Sequence, residues 1–282
     1  MAEAHRLHRT LVTLGLSLIA AHVAIHAQAT QEVYKPQVGQ PGKDVVWVPT
    51  SQALVDKMLD MAKVTPQDSV IDLGSGDGRT VITAAKRGAR ALGIEYNPDM
   101  VALSKRAAAE AGVSDRATFV KADIFESDFS QATVITMFLL PDLNLKLRPK
   151  ILDLKPGTRV VSNTFTMDDW QADETATISD GGCTAWCTAL LWIVPAKVQG
   201  TWRFGQRSQG ELTLTQRFQV LIGTLRSGAS ATPISDGRLR GDQISFVAGG
   251  AHYTGSVNGN TITGQTMSSN GNGSWTATRA SQ

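Results

Sequence analysis

The spacing of apolar positions changes several times along this chain, and each change marks a different kind of segment. Leu11 to Ile25 is one mostly apolar stretch, whereas 30–44 is polar, holds Pro36 and Pro41, and sustains no apolar repeat. The polar segment reads as an extended arm. Helical spacing begins with Leu54, Val55, Met58, Leu59 and Ala62, which predicts a helix over 51–62 capped by Thr50 or Ser51. Short apolar runs then alternate with helical ones. Strands are expected over 69–73, 90–95, 117–121, 132–138 and 159–162, and helices over 80–88, 98–111 and 143–154. That rhythm builds a doubly wound α/β sheet. Residues 175–178 and 190–194 read as a closing antiparallel hairpin.

Near Ala196 the period falls to two. Strands are expected over 200–204, 211–217, 220–226, 243–247, 252–257, 261–266 and 274–279, separated by turns such as Asn258-Gly259-Asn260 and Asn270-Gly271-Asn272-Gly273. Seven or eight short strands in about 80 residues predict a small all-β sandwich or barrel. Trp202, Phe204, Phe218, Phe246, Tyr253 and Trp275 fall in this region, and aromatic residues at alternating positions are read as its core. The expected boundaries are 1–29 for a leader, 30–47 for the arm, 48–197 for the α/β domain and 198–282 for the β domain.

Composition adds three constraints. With 282 residues, 42% of them hydrophobic, the chain can bury a sizeable core and form two domains. A net charge of +2, from 27 basic and 25 acidic residues, gives no strongly basic face, so nucleic acid is not an expected partner. Arg6 and Arg9 precede the apolar stretch, which ends in Ala27-Gln28-Ala29. Its length of about 15 residues is short for a membrane span and fits a secretory signal. Cleavage after Ala29 and a periplasmic location are expected, with an uncleaved N-terminal anchor as the alternative; no second apolar span follows.

Cys183 and Cys187 are the two cysteines. Export favours a disulfide, but a helical i,i+4 pair would bridge poorly, so their pairing stays open. Without nearby histidine they make no zinc site, and no metal is expected.

The chemistry concentrates in Val70-Ile71-Asp72-Leu73-Gly74-Ser75-Gly76-Asp77-Gly78-Arg79. An apolar strand ending in glycines spaced two apart lets backbone amides approach a nucleotide-like ligand closely. A dinucleotide fingerprint would need glycine where Arg79 stands, and a Walker loop would need a Lys-Ser/Thr pair that is absent.

This run resembles the first motif of class I S-adenosylmethionine (SAM) methyltransferases. The resemblance implies a Rossmann-like sheet and a cofactor site made by Asp72, Gly74, Gly76 and Gly78. It further implies Glu95 on the ribose, Tyr96 beside the adenine, and Asp123 with Ile124 at the adenine amino group and ring. Val48-Pro49-Thr50, Phe138-Leu139-Leu140-Pro141, the stretch from Lys155 to Ser162 and Trp170 are similar to bacterial relatives of the ATP-synthase c-subunit lysine methyltransferases. That similarity covers less than half the chain and implies methyl transfer to an acceptor nitrogen, with protein lysine as the first acceptor. A small-molecule acceptor and an exported SAM-binding module without turnover are the alternatives. Leu139-Leu140-Pro141-Asp142 replaces the Asp/Asn-Pro-Pro-Tyr of amino-methyltransferases acting on bases and glutamine. Asn144, Asn163, Asp168 and Trp170 are acceptor-side candidates, and no catalytic base is assigned.

Overall fold

The Ser51 side chain accepts a hydrogen bond from the Leu54 N–H at 3.4 Å and starts α1 (Gln52–Met61). The fold is described from a computed structural model over residues 34–179, 182–205, 210–269 and 271–280. The expected leader at 1–29 lies outside these residues, as do 30–33 of the arm. Residues 39–47 do not run extended: they double back, with the Gly39 N–H donating to the Trp47 carbonyl and the Trp47 N–H to that of Gln40.

After α1 come β1 (Ser69–Leu73), α2 (Arg79–Lys86), β2 (Arg90–Glu95), α3 (Pro98–Glu110) and β3 (Ala117–Lys121). Then follow β4 (Val134–Met137), α4 (Pro141–Leu152), β5 (Arg159–Asn163), β6 (Glu174–Thr177) and β7 (Thr188–Ile193). The sheet order is β3-β2-β1-β4-β5-β7-β6. The first five strands pair in parallel, and the β6–β7 hairpin adds antiparallel to β5. Val70, Val134 and Val161 pack with the buried residues of α1, α2 and α3, while Ile71, Leu73, Ile135, Met137 and Val160 pack with Leu147 and Ile151 of α4. Both faces are therefore covered, as parallel strands require. Burial also explains α2, whose eight residues are too few to persist alone; Val81, Ala84 and Ala85 anchor it against the sheet.

The C-terminal region consists of β8 (Gly200–Phe204), β9 (Gly210–Arg217), β10 (Val220–Ser227), β11 (Ser230–Pro233), β12 (Ser235–Arg240), β13 (Gln243–Ala248), β14 (Ala251–Asn258), β15 (Thr261–Ser268) and β16 (Gly271–Arg279). Eight of these strands close into an antiparallel barrel, because β16 pairs with β8 and β9 with β10, and β11 lies alongside β10. A barrel is thus realised and a sandwich is not. Trp202, Phe246 and Trp275 are buried in its core, with Phe204 and Tyr253 packed against them. Phe218 departs from the expectation: it belongs to the α4-side core of the α/β sheet, stacked on Trp170 at 5.8 Å.

Two strands escaped the alternation pattern, β11 and β12. In β12 the buried positions are Gly237 and Leu239, and a Cβ on Gly237 would lie 2.3 Å from the Leu221 carbonyl oxygen. Close strand contact excludes the side chain that would have revealed the period.

The barrel docks on the loop before β6. Beyond the Phe218–Trp170 stack, Arg217 pairs with Asp169, Arg238 with Asp173 and Arg240 with Glu174. Gln219 Nε2 donates to the Gln171 carbonyl at 2.7 Å.

Candidate functional site

The carboxyl ends of β1, β2, β3, β4 and β5 surround a cavity of about 270 Å³. Its floor is the turn after β1, where Gly74 and Gly76 adopt φ values of 77° and 53°. Side chains avoid this left-handed region, and glycine does not. The Gly74 and Ser75 N–H groups both donate to the Ile94 carbonyl, at 2.9 and 3.1 Å, tying the turn to β2. Glu95, at the tip of β2, accepts from the Gly76 N–H through one carboxylate oxygen and from the Asn97 N–H through the other, each at 2.9 Å. Two amides fix the carboxylate in place and leave lone pairs on both oxygens for a ligand.

Asp72 lies beneath the turn, buried, with Thr136 Oγ1 donating to Oδ1 at 2.6 Å. Burial pushes its carboxyl up to about 7; the Thr136 hydrogen bond opposes the rise, and the charges of Glu95 and Asp77 add to it. Such a group favours a cationic ligand, which would restore its ionised form. Asp123 presents the opposite case. Its ion pair with Lys43 holds it below the usual carboxylate range, helped by the Phe125 N–H at 2.9 Å. Lys43 also lies 5.0 Å from the centre of the Tyr96 ring, and Tyr96 is half exposed.

Seven of the eight expected cofactor residues, Asp72, Gly74, Gly76, Glu95, Tyr96, Asp123 and Ile124, line this one cavity. Gly78 does not. It is the N-cap of α2, where a Cβ would stand 2.7 Å from both Phe119 and Ser104, so its role is close packing of helix on sheet.

Sequence reasoning missed the wall contributed by the arm. Residues 40–50 line the cavity, and a Cβ on Gly76 would come within 2.7 Å of Trp47 Nε1. Arg79 secures this wall: its guanidinium grips Asp77 and donates to the Thr50 carbonyl at 2.7 Å. No local pattern announces contacts across some thirty residues.

Toward β4 and β5 the lining turns apolar, with Phe138, Leu139, Leu140, Leu143, Phe165 and Trp186. The four acceptor-side candidates lie elsewhere. Asn144 is buried behind this wall, donating to the Phe165 and Thr166 carbonyls at 3.2 and 3.1 Å. Asn163 donates to Thr50 Oγ1 at 3.1 Å. Asp168 occupies an exposed turn, and Trp170 is sealed between Trp192 and Phe218. Cys183 and Cys187 form a disulfide with their Cα atoms 5.8 Å apart. The residues between them are not helical, which removes the objection drawn from helical spacing.

Known proteins resemble the α/β part of this chain. Residues 72–174 match the family described as ANTKMT methyltransferase domain. A protein-lysine N-methyltransferase of Saccharolobus islandicus is 46% identical over 153 residues, covering 53% of this chain and 94% of that protein. The chain belongs to this methyltransferase family. It is a SAM-dependent methyltransferase with a Rossmann-like sheet. A mouse relative, the lysine N-methyltransferase of the ATP-synthase c-subunit, is 35% identical over 141 residues, which span 50% of this chain and 56% of that relative. In a crystal structure, an RNA methyltransferase from Salinibacter ruber is bound to S-adenosyl-L-homocysteine. It is 45% identical, with a TM-score of 0.50, and the match covers 54% of this chain and 96% of that one. Relatives of near-equal identity thus carry names for different acceptors. The family match also stops at the first residue of β6, short of the barrel.

Proposed function

We propose that this enzyme methylates the side-chain amine of a protein lysine, with SAM held along the ends of β1, β2 and β3. Bound SAM supplies an electrophilic sulfonium methyl, so the chain's own task is to hold, orient and exclude water. Glu95, pinned by the Gly76 and Asn97 amides, takes the two ribose hydroxyls through its remaining lone pairs. Asp123, Ile124 and Tyr96 receive the adenine, and the Lys43 contact on Asp123 is exchanged for the adenine amino group. Asp72 faces the positive amino-acid end of the donor, which supplies the cation that its buried carboxyl lacks.

The apolar lining at the β4 and β5 ends carries the acceptor reading. Base and glutamine nitrogens need polar partners, whereas an alkylamine needs a slot for its methylenes and a way to shed a proton. An apolar wall of Leu139, Leu140, Leu143 and Phe165 provides the slot. Burial there disfavours the ammonium form and so favours the free amine that attacks the methyl.

The location is part of the same reading. The basic start, short apolar stretch and Ala-Gln-Ala of 1–29 support export to the periplasm with cleavage after Ala29. Labelled SAM, purified enzyme and cell-envelope protein test the acceptor: acid hydrolysis should release the label as methyl-lysine. Label recovered in RNA or in small molecules instead would overturn the reading, and sequencing the mature N-terminus checks the export.

A further inference from the structure

Just before β7, Trp186 presents its ring to the cavity. Trp186 lines the cavity yet is 46% exposed, and its φ of 55° is rare for a bulky residue. Such a conformation persists only where its surroundings enforce it. Here Trp186 sits inside the five-residue ring closed by the Cys183–Cys187 disulfide. The loop base is fixed by the Ile178 N–H donating to the Cys187 carbonyl at 2.9 Å and the Thr164 N–H to that of Thr188 at 2.7 Å. Trp186 meets Phe138 at 6.0 Å with the ring planes inclined by 60°, and Phe138 stacks on Phe165 at 5.8 Å. Three π systems thus converge at the β4 and β5 end of the cavity. The nucleoside end of the cavity belongs to β2 and β3, and these rings stand beyond β4 and β5, on the other side of β1.

We propose that Phe138, Phe165 and Trp186 form the subsite that captures the acceptor as an alkylammonium cation, and that the Cys183–Cys187 bond holds Trp186 in its capturing position. The proposal rests on the lysine reading above and adds to it a means of recognition and a dependence on oxidation. Aromatic faces attract ammonium groups, and most strongly when the cation keeps its charge but sheds bulk water. Protonated lysine is collected at the rings, gives its proton to solvent water beside the half-exposed Trp186, and passes against the leucines as the free amine. Methylated lysine keeps its charge and is held there as well.

The test uses the full chain and two probes, Nα-acetyl-Nε-trimethyl-lysine amide and its neutral isostere with a tert-butyl group in place of the trimethylammonium. Binding is followed by NMR titration, with and without saturating S-adenosyl-L-homocysteine. The charged probe should bind roughly three- to tenfold more tightly than the neutral one. W186A should remove that preference and W186F should restore most of it. Dithiothreitol, which reduces the bond to two thiols and is itself oxidised to a cyclic disulfide, should abolish the preference. The C183S/C187S double variant should do the same without a reductant. Affinity for S-adenosyl-L-homocysteine should be unchanged in every case, which shows that the α/β domain stays folded. Equal binding of both probes, or a preference that survives W186A, overturns the subsite; a preference that survives both reduction and C183S/C187S overturns the role of the disulfide. Failure of the lysine reading is distinguishable, since label would then appear off lysine while the charged probe still binds in preference.

Discussion

Replacing Asp72 with Asn separates what a buried carboxyl costs the empty fold from what it contributes to the donor. The residue is 6% exposed and its pKa stands at about 7, against 3.8 when free. An acid that binds its proton more tightly when folded is most stabilising below pH 3.8, and that stability is lost as the pH rises toward 7. At about 1.36 kcal/mol per pH unit, the roughly three-unit rise amounts to ~4 kcal/mol. Asn is neutral at every pH, matches the shape, and keeps an oxygen to accept from Thr136. The stability of the donor-free variant should therefore gain on the wild type by up to ~4 kcal/mol between pH 4 and pH 8, levelling off above 7. Urea unfolding at a series of pH values measures this directly. Affinity for SAM should move the other way, because Asn offers the donor's cation no charge. Parallel stability curves across that range would show that Asp72 is not desolvated as described, and the account of the turn would fail with it.

Three other substitutions probe the rest of the architecture. Glu95→Ala removes a charged acceptor and should weaken SAM binding by ~1.5–3 kcal/mol, or about ten- to a hundredfold, read by calorimetry. Gly76→Ala forces a side chain into φ 53° and against Trp47; it should cost about 1–2 kcal/mol of stability in thermal unfolding and displace the arm, seen as a change in tryptophan emission. Phe218→Ala opens the stack on Trp170 and should lower stability by ~1–3 kcal/mol. Donor affinity should stay unchanged in that variant, because no barrel residue among those described lines the cavity.

The parallel strands were the most legible part of the chain. Residues 69–73, 90–95 and 117–121 are strands at the expected limits, because buried apolar runs closed by glycine or an acid have few other uses. The resemblance to class I methyltransferases pointed to Glu95 and Asp123, which stand at the tip of β2 and just past the end of β3. What stayed hidden depends on distance along the chain or on an absent side chain. Trp47 meets Gly76 only after the arm folds back, and β12 hides its inward position in Gly237. Asn144 is a brace whose purpose appears once the Phe165 carbonyl lies beside it. Trp186 gave no periodic signal, since a single exposed ring in a loop is visible only once Phe138 and Phe165 are seen opposite it.

Closure of the β8–β16 region has a consequence for recognition. Apart from the four-residue β11, which ends in Pro233, every barrel strand among the described residues has hydrogen-bonded partners on both flanks. Among the described residues an extended peptide therefore finds only β11 with an unpaired flank, and that strand is four residues long and ends in proline. Recognition by the barrel thus falls mainly to outward side chains and rim loops, a mode that favours surfaces of fixed shape over unfolded tails.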